Sequence, residues 1–181
     1  MPPPRVRQID PPRESRLAPR YAGANLADAY AVALPAEATH DIAALAKAVL
    51  AHPAPWQRAL LGVRDATMAR FGVKTSREVG RDARGSGAVG FFPVLERAAD
   101  ELILGAPDRH LDFWVSVLRR PAPAGRAGPE LVVTTVVACH NTLGRAYLSV
   151  ILPLHRRAVR SMLSRAARRS WPEAGEGPAV R

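Results

Sequence analysis

The 181-residue sequence lacks most of the features that announce a function directly. It has one cysteine, Cys139, which excludes an internal disulfide and any zinc site built on several thiolates, and which fits a reducing, cytoplasmic compartment. It has only two lysines, Lys47 and Lys74. Its positive charge is therefore almost all arginine. No apolar run approaches the ~18 residues that a spanning helix needs, the longest stretch being Ala146 to Leu154, so no transmembrane segment is expected. There is no G-x-x-x-x-G-K-[ST], no H-E-x-x-H, no G-x-S-x-G and no paired C-x-x-C. The short local signatures of phosphate, zinc and acyl-transfer sites are thus missing, and the histidines share no i, i+4 spacing, so neither a metal nor a cofactor is expected.

What the chain does have is a formal charge of +10. A basic balance invites nucleic acid or a membrane surface as partner, but the location of the charge decides. Residues 1–20 carry a net +3, residues 155–181 a net +5, and the 134 residues between them only +2. The first twenty residues hold six prolines and five arginines with little apolar bulk. On composition, residues 1–23 read as a disordered tail and residues 170–181 as a flexible one. No signal-peptide core follows the early arginines. The remaining 24–169 is the size of one domain.

Within it, Leu26 to Leu34 alternates and stops at Pro35, as a first strand would. Ile42, Leu45, Val49 and Leu50 then recur at helical spacing, with Thr39 or Asp41 placed to cap. A second helix is expected from Pro55 to Gly72, followed by a long loop over 73–88. Val89 to Leu95 carries Pro93 and should lie at an edge or end early. Glu101 to Leu104 should run into a turn at 105–107. His110–Leu118 alternates with Leu111, Phe113, Val115 and Val117 on one face, and Leu131–Cys139 is β-branched; the two should form an antiparallel hairpin. A last helix, capped by Asn141 or Thr142 and running to about Arg169, contains Pro153, where a kink is expected. Its first half is apolar nearly all round and reads as buried; its arginine-rich second half reads as solvated. This order is α+β, an antiparallel sheet with one long C-terminal helix across it.

The stretches GVKT (72–75), GFFPVLE (90–96), DRHLDFWVSV (108–117) and TTVVACHNTLGRAYLSVILPLHR (134–156) together resemble the bacterial domain-of-unknown-function family 2867 (DUF2867), over roughly residues 24–169. The resemblance implies a helix-grip fold of the START-like (SRPBCC) superfamily, with a cavity between sheet and helix. The family occurs alone or behind short-chain-dehydrogenase-like domains, and it implies no particular activity.

Gly85 to Gly90 formally matches G-x-G-x-x-G, but it leads into an apolar strand rather than opening a helix after one, so it reads as loop. The polar cluster that carries a hypothesis is His110, Asp112 and His140. His110 and Asp112 share a strand face, and the hairpin sets His110 opposite either Cys139 or His140. In the second register two imidazoles and a carboxylate converge, as acid/base catalysis or ligand orientation requires. Asn141, Arg145 and Tyr147 follow at the helix start, and Arg145 could pair with a carboxylate or phosphate. The plainer alternative is that these residues tie strand ends to the helix terminus. His155 falls on the packed line of the helix, where a satisfied core histidine is the commoner case. Trp114 sits among polar positions, either as a contact residue or on a face less exposed than its neighbours suggest. Cys139 reads as a small buried residue.

The expected function is binding of a small hydrophobic or lipid-like ligand between sheet and helix. Walls would come from Leu111, Phe113, Val115, Val133, Val137, Tyr147, Ile151 and Leu154, and polar orientation from the His110 cluster. The second class is a cyclase- or dehydratase-like enzyme of the same superfamily, with His110 or His140 as acid or base. The third is a basic surface binder of acidic partners or a membrane surface through the last helix. Specific nucleic-acid reading is not expected without aromatics among Arg156 to Arg169. A homodimer is compatible with the chain.

Overall fold

Among the described residues, seven antiparallel strands, numbered in chain order, form one sheet in the order β1-β2-β7-β6-β5-β4-β3, with two helices of nine and 27 residues across one face. The computed structural model describes residues 5–59, 88–90, 92–107, 109–121 and 128–173. The strands are β1 Arg7–Ile9, β2 Leu26–Ala33, β3 Ala88–Val89, β4 Phe92–Arg97, β5 Glu101–Ala106, β6 Leu111–Pro121 and β7 Pro129–Cys139. Helix α1 is Ile42–Leu50 and α2 is Thr142–Arg168. This is an α+β, helix-grip-like arrangement, a sheet lying against a long C-terminal helix. Among the expected segments, the second helix is described only at residues 55–59. The rest of it, most of the 73–88 loop, and Gly85 to Gly87 of the glycine motif lie outside the described residues.

The β6–β7 hairpin sets the frame. Leu111 pairs with Cys139 and Val117 with Val133, which puts His110 opposite His140. β7 also pairs along its length with β2, Leu26 facing Val137 and Val32 facing Leu131. Side chains alternate across a pleated strand, so each register row contributes one layer to the helix-bearing face. The outermost row is Leu26, Val137 and Phe113; the next is Asp28, Thr135, Val115 and Leu104; the third is Tyr30, Val133, Val117 and Leu102. The third row, with Val32, Leu45, Val49 and Leu163, belongs to the main core.

Several sequence expectations need correction. The burial of α2 differs in part from expectation. In the first half Gly144 and Leu148 are buried, but Val150 is 75% exposed and Leu154 36%. In the second half Val159, Leu163 and Ala166 are buried, while Arg156, Arg157, Arg160 and Arg168 are exposed as expected. An all-apolar first half cannot show which side meets the sheet, while the narrow stripe of the second half is clamped in one core with α1. Helix α2 continues through Pro153. The expected turn at 105–107 is instead the end of β5, where Gly105 pairs with Trp114 and Ala106 with Phe113. A Cβ on Gly105 would lie 2.4 Å from the Phe113 carbonyl oxygen, so close approach rather than turning requires the glycine. Pro93 does sit beside the edge, on β4, whose partner β3 is two residues long and ends the sheet.

The described parts of the two terminal segments, residues 5–23 and 170–173, pack against the domain. Residues 7–9 add a strand beside β2, and the segment after them crosses the face opposite the helices. Leu17 is buried there against Ile103 and Val136, with Tyr21, Ala24 and Trp114 around them. The Arg20 guanidinium stands 5.1 Å from the Trp114 ring centre. Composition undercounts such a segment: one fully buried leucine contributes about 2 kcal/mol, and ionic contacts add to it. Arg7 meets Glu130 at 2.5 Å, Arg120 meets Glu14 at 2.5 Å and Glu130 at 2.8 Å, and Arg16 bonds Glu96. At the other end Trp171 is buried and the Thr39 amide donates to the Pro172 carbonyl. Residues 170–173 therefore dock on the core.

Candidate functional site

The strand ends and the start of α2 meet as the second hairpin register requires. The His140 amide donates to the His110 carbonyl at 2.9 Å. Asn141 caps α2, its Oδ1 accepting from the Gly144 amide at 3.0 Å. That bond orients the side-chain amide, so its NH2 donates to His110 Nδ1 at 3.0 Å. A Cβ on Gly144 would lie 2.2 Å from the His110 carbonyl oxygen, so this glycine lets the helix terminus seat on the strand. His110 and Asn141 thus form a strand-to-helix tie.

His140 and Asp112 do pair, Nε2 to Oδ2 at 3.2 Å. Alternation along β6 places Asp112 on the face opposite α2, because Leu111 and Phe113 belong to the cluster beneath the helix. The two histidines therefore serve different contacts, and the His140–Asp112 pair lies across the sheet from the helix-side interior. Arg145 begins α2 with its side chain exposed, and Tyr147 is half-buried. Burial pushes the Cys139 thiol up, with the Arg145 charge opposing, so Cys139 is a protonated, half-buried thiol.

Of the expected walls, Leu111, Phe113, Val137 and Ile151 gather in one cluster with Leu26, Leu148, Leu152 and Cys139. Val115 and Val133 belong instead to the closed core, and Leu154 turns to solvent. The interior is accordingly filled along the second half of α2. Its covering is incomplete over the first half, where Leu111, Phe113, Cys139, Ile151 and Leu152 are only partly buried.

Sequence reasoning missed a second polar group on the helix-bearing face. Asp28, 4% exposed, projects from β2 beneath α2. His155 approaches its Oδ1 at 3.3 Å, and because a carboxylate only accepts, the imidazole Nε2–H must donate. Among the described residues Asp28 Oδ2 has no hydrogen-bond partner, the ion-pair contact to it being Arg156 Nε at 3.9 Å. Tyr30, two residues on and fully buried, has a hydroxyl with no partner at full bonding geometry among them. Burial chiefly, and then the Asp28 charge, raise its phenol above the ordinary tyrosine value, with Arg160 and Arg156 opposing. The Arg160 guanidinium stands 5.4 Å from the ring centre and donates to Gln8 at 3.1 Å. Arg156 and Arg160 stay on the exposed, arginine-rich side of the helix, as expected, and reach these buried groups from its edge. The signal was present in LADAYAVA: every odd position of β2 is alanine, so its large and polar residues all share one face.

On the opposite face, an open depression of about 650 Å³ lies between the N-terminal segment and β5–β6, lined by Glu14, Arg16, Glu101, Leu118 and Arg120 among others. Within it Arg120 pairs with Glu14, Arg16 pairs with Glu96, and Glu101 accepts from Ser15 and the Arg16 amide. Among the described residues no helix is long and apolar enough to cross a membrane, and no group of three or more His, Cys, Asp or Glu side chains is placed to hold a metal.

The architecture defines an α+β domain in which a seven-stranded antiparallel sheet carries a long C-terminal helix. A family model described as protein of unknown function (DUF2867) matches residues 20–162, and the chain belongs to that family. No curated protein and no solved structure matches it.

Proposed function

We propose that the domain binds a small, largely apolar molecule, in the manner of START-like helix-grip proteins, in the groove between the first half of α2 and the adjoining ends of β2, β6 and β7. The carrying observation is the contrast in covering along the helix. Beneath Val159 and Leu163 the core is closed, whereas Leu111, Phe113, Cys139, Ile151 and Leu152 form a contiguous apolar surface left partly open. Such a surface next to a few polar groups is the usual character of a ligand site. Tyr147, one turn before Ile151, and Arg145, whose charge acts on Cys139, would stand at its mouth. His110, Asn141, Asp112 and His140 would hold the rim in shape. The acid/base alternative loses support because the His140–Asp112 pair is on the other face of the sheet.

Fluorescence titration with the neutral apolar probe N-phenyl-1-naphthylamine tests this reading. Saturable binding is expected, lost by at least ~tenfold in Ile151→Glu because a carboxylate in an apolar site is costly. Val150→Glu, on the exposed side of the same helix, should leave it unchanged. Equal effects of the two substitutions, or no saturable binding, would refute the groove.

A further inference from the structure

We infer that the inner end of this groove is a polar pole, built from Asp28, His155 and Tyr30, that selects a ligand carrying a neutral hydroxyl group. The inference rests on the proposed groove and adds the chemistry of what it accepts.

The layering of the sheet places the pole. Leu26, Val137 and Phe113 line the groove, and the next row inward on the same strands is Asp28, Thr135 and Val115. On the helix, His155 follows Ile151 by one turn and therefore faces the same way. Its side chain retains 22% exposure, so the pair is not sealed from solvent. On the β2 side the apolar surface thus meets a carboxylate–imidazole pair, while on the β6 side Phe113 and Val115 carry it on into the main core.

Among the described residues, Asp28 Oδ2 has no hydrogen-bond partner and the Tyr30 hydroxyl has none at full bonding geometry, Arg160 being the donor that approaches it; both side chains are at least nine-tenths buried. Buried polar atoms are almost always paired, because an unmade hydrogen bond in a low-dielectric interior carries the full desolvation cost. The contrast within this protein is direct. Glu101 and Glu130, equally buried, have both carboxylate oxygens bonded. Asp28 has one.

The surrounding charges choose the partner. An anionic head would approach a buried carboxylate, and a cationic head would approach Arg156, 3.9 Å from Asp28, and Arg160 over Tyr30. A neutral hydroxyl escapes both repulsions. It can donate to Asp28 Oδ2, which only accepts, or exchange a hydrogen bond with the Tyr30 phenol, which does either. A carbonyl has no hydrogen for the carboxylate. The ligand class is therefore an aromatic or aliphatic skeleton bearing an alcohol or phenol.

Equilibrium dialysis of the full chain against 2-naphthol, its near-isostere 2-methylnaphthalene, and 2-naphthoate separates the claims. The naphthol should bind at least ~tenfold more tightly than the methyl compound, the value of one hydrogen bond to a charged group. Naphthoate should bind more weakly than the naphthol. Asp28→Asn should reduce the naphthol advantage below ~threefold while leaving methylnaphthalene binding intact, and Tyr30→Phe, the gentler change for folding, should reduce it in part. Equal binding of naphthol and methylnaphthalene overturns the polar pole but leaves the apolar groove standing. Failure of all three to bind overturns the groove and, with it, the pole.

Discussion

The two faces of the sheet each bury carboxylates, and they treat them differently. On the face covered by the N-terminal segment, Glu101 accepts from Ser15 at 2.6 Å, from the Arg16 amide at 2.9 Å and from Ser116 at 2.5 Å. Glu130 on that face is held by Arg7 and by Arg120. On the helix-bearing face Asp28 meets His155 through one oxygen and leaves the other without a hydrogen bond. The first set is a fastening, because Ser15, the Arg16 amide and Arg7 tie residues 7–16 to it while Ser116 and Arg120 hold it within the sheet. The second is incomplete next to a cluster in which Leu111, Phe113, Cys139, Ile151 and Leu152 are also only partly covered. The satisfied carboxylates belong to the fastening of the fold, and the incompletely bonded one is the group on which the proposed ligand pole rests.

This comparison can be broken by substitution. Glu101→Ala should have the largest effect, about 3 kcal/mol of lost stability in denaturant unfolding, because it strands the Ser15 and Ser116 hydroxyls and releases the Arg16 amide. Amide exchange in β1 should speed up in the same variant. Asp28→Asn should cost less than about 1 kcal/mol, since a half-satisfied buried charge contributes little net stability. A loss as large as that of Glu101→Ala would mean that Asp28 is a fastening too.

The smallest effect concerns pH. Burial, the largest single influence on Glu14, pushes its carboxyl up, but its own backbone amide and Arg120 outweigh this and hold it below the ordinary 4.5. A lowered value means that the unfolded chain binds the proton more readily. The Glu14 contribution is thus present above about pH 4.5 and is lost as pH falls through the lower folded value. Protection of β1 amides should therefore decline in acid, and in Glu14→Gln this decline should be shallower than in the parent chain. Because Glu14 is half exposed, the difference should be small.

Much of the fold was legible in the residues. Alternation in β6, β-branching in β7, and the Asn141 cap all specify local conformations that survive in the tertiary structure, and hairpin geometry narrowed the pairing to two registers. From Leu26 onward the order and types of the described elements largely follow from those local patterns, whereas β1 does not. The candidate site was less legible. His110, Asp112 and His140 were recognisable as a cluster, yet the pleat separates the Asp112 contact from the helix side. Asp28 and Tyr30 were hidden in an alanine-rich strand, and their partner His155 lies 127 positions from Asp28.

The sequence by itself determined the α+β class, the antiparallel hairpin, the capped C-terminal helix and the concentration of net charge at the two ends. These depend on periodicity, caps and composition, which act over a few neighbouring residues. Only the tertiary structure decided that the arginine-rich leader lies on the sheet, that the apolar stripe in the second half of α2 joins the main core, and that Asp28 meets His155 beneath the helix. Each of those outcomes depends on which surfaces remain to be covered once the sheet has formed, and long-range burial and pairing answer that question.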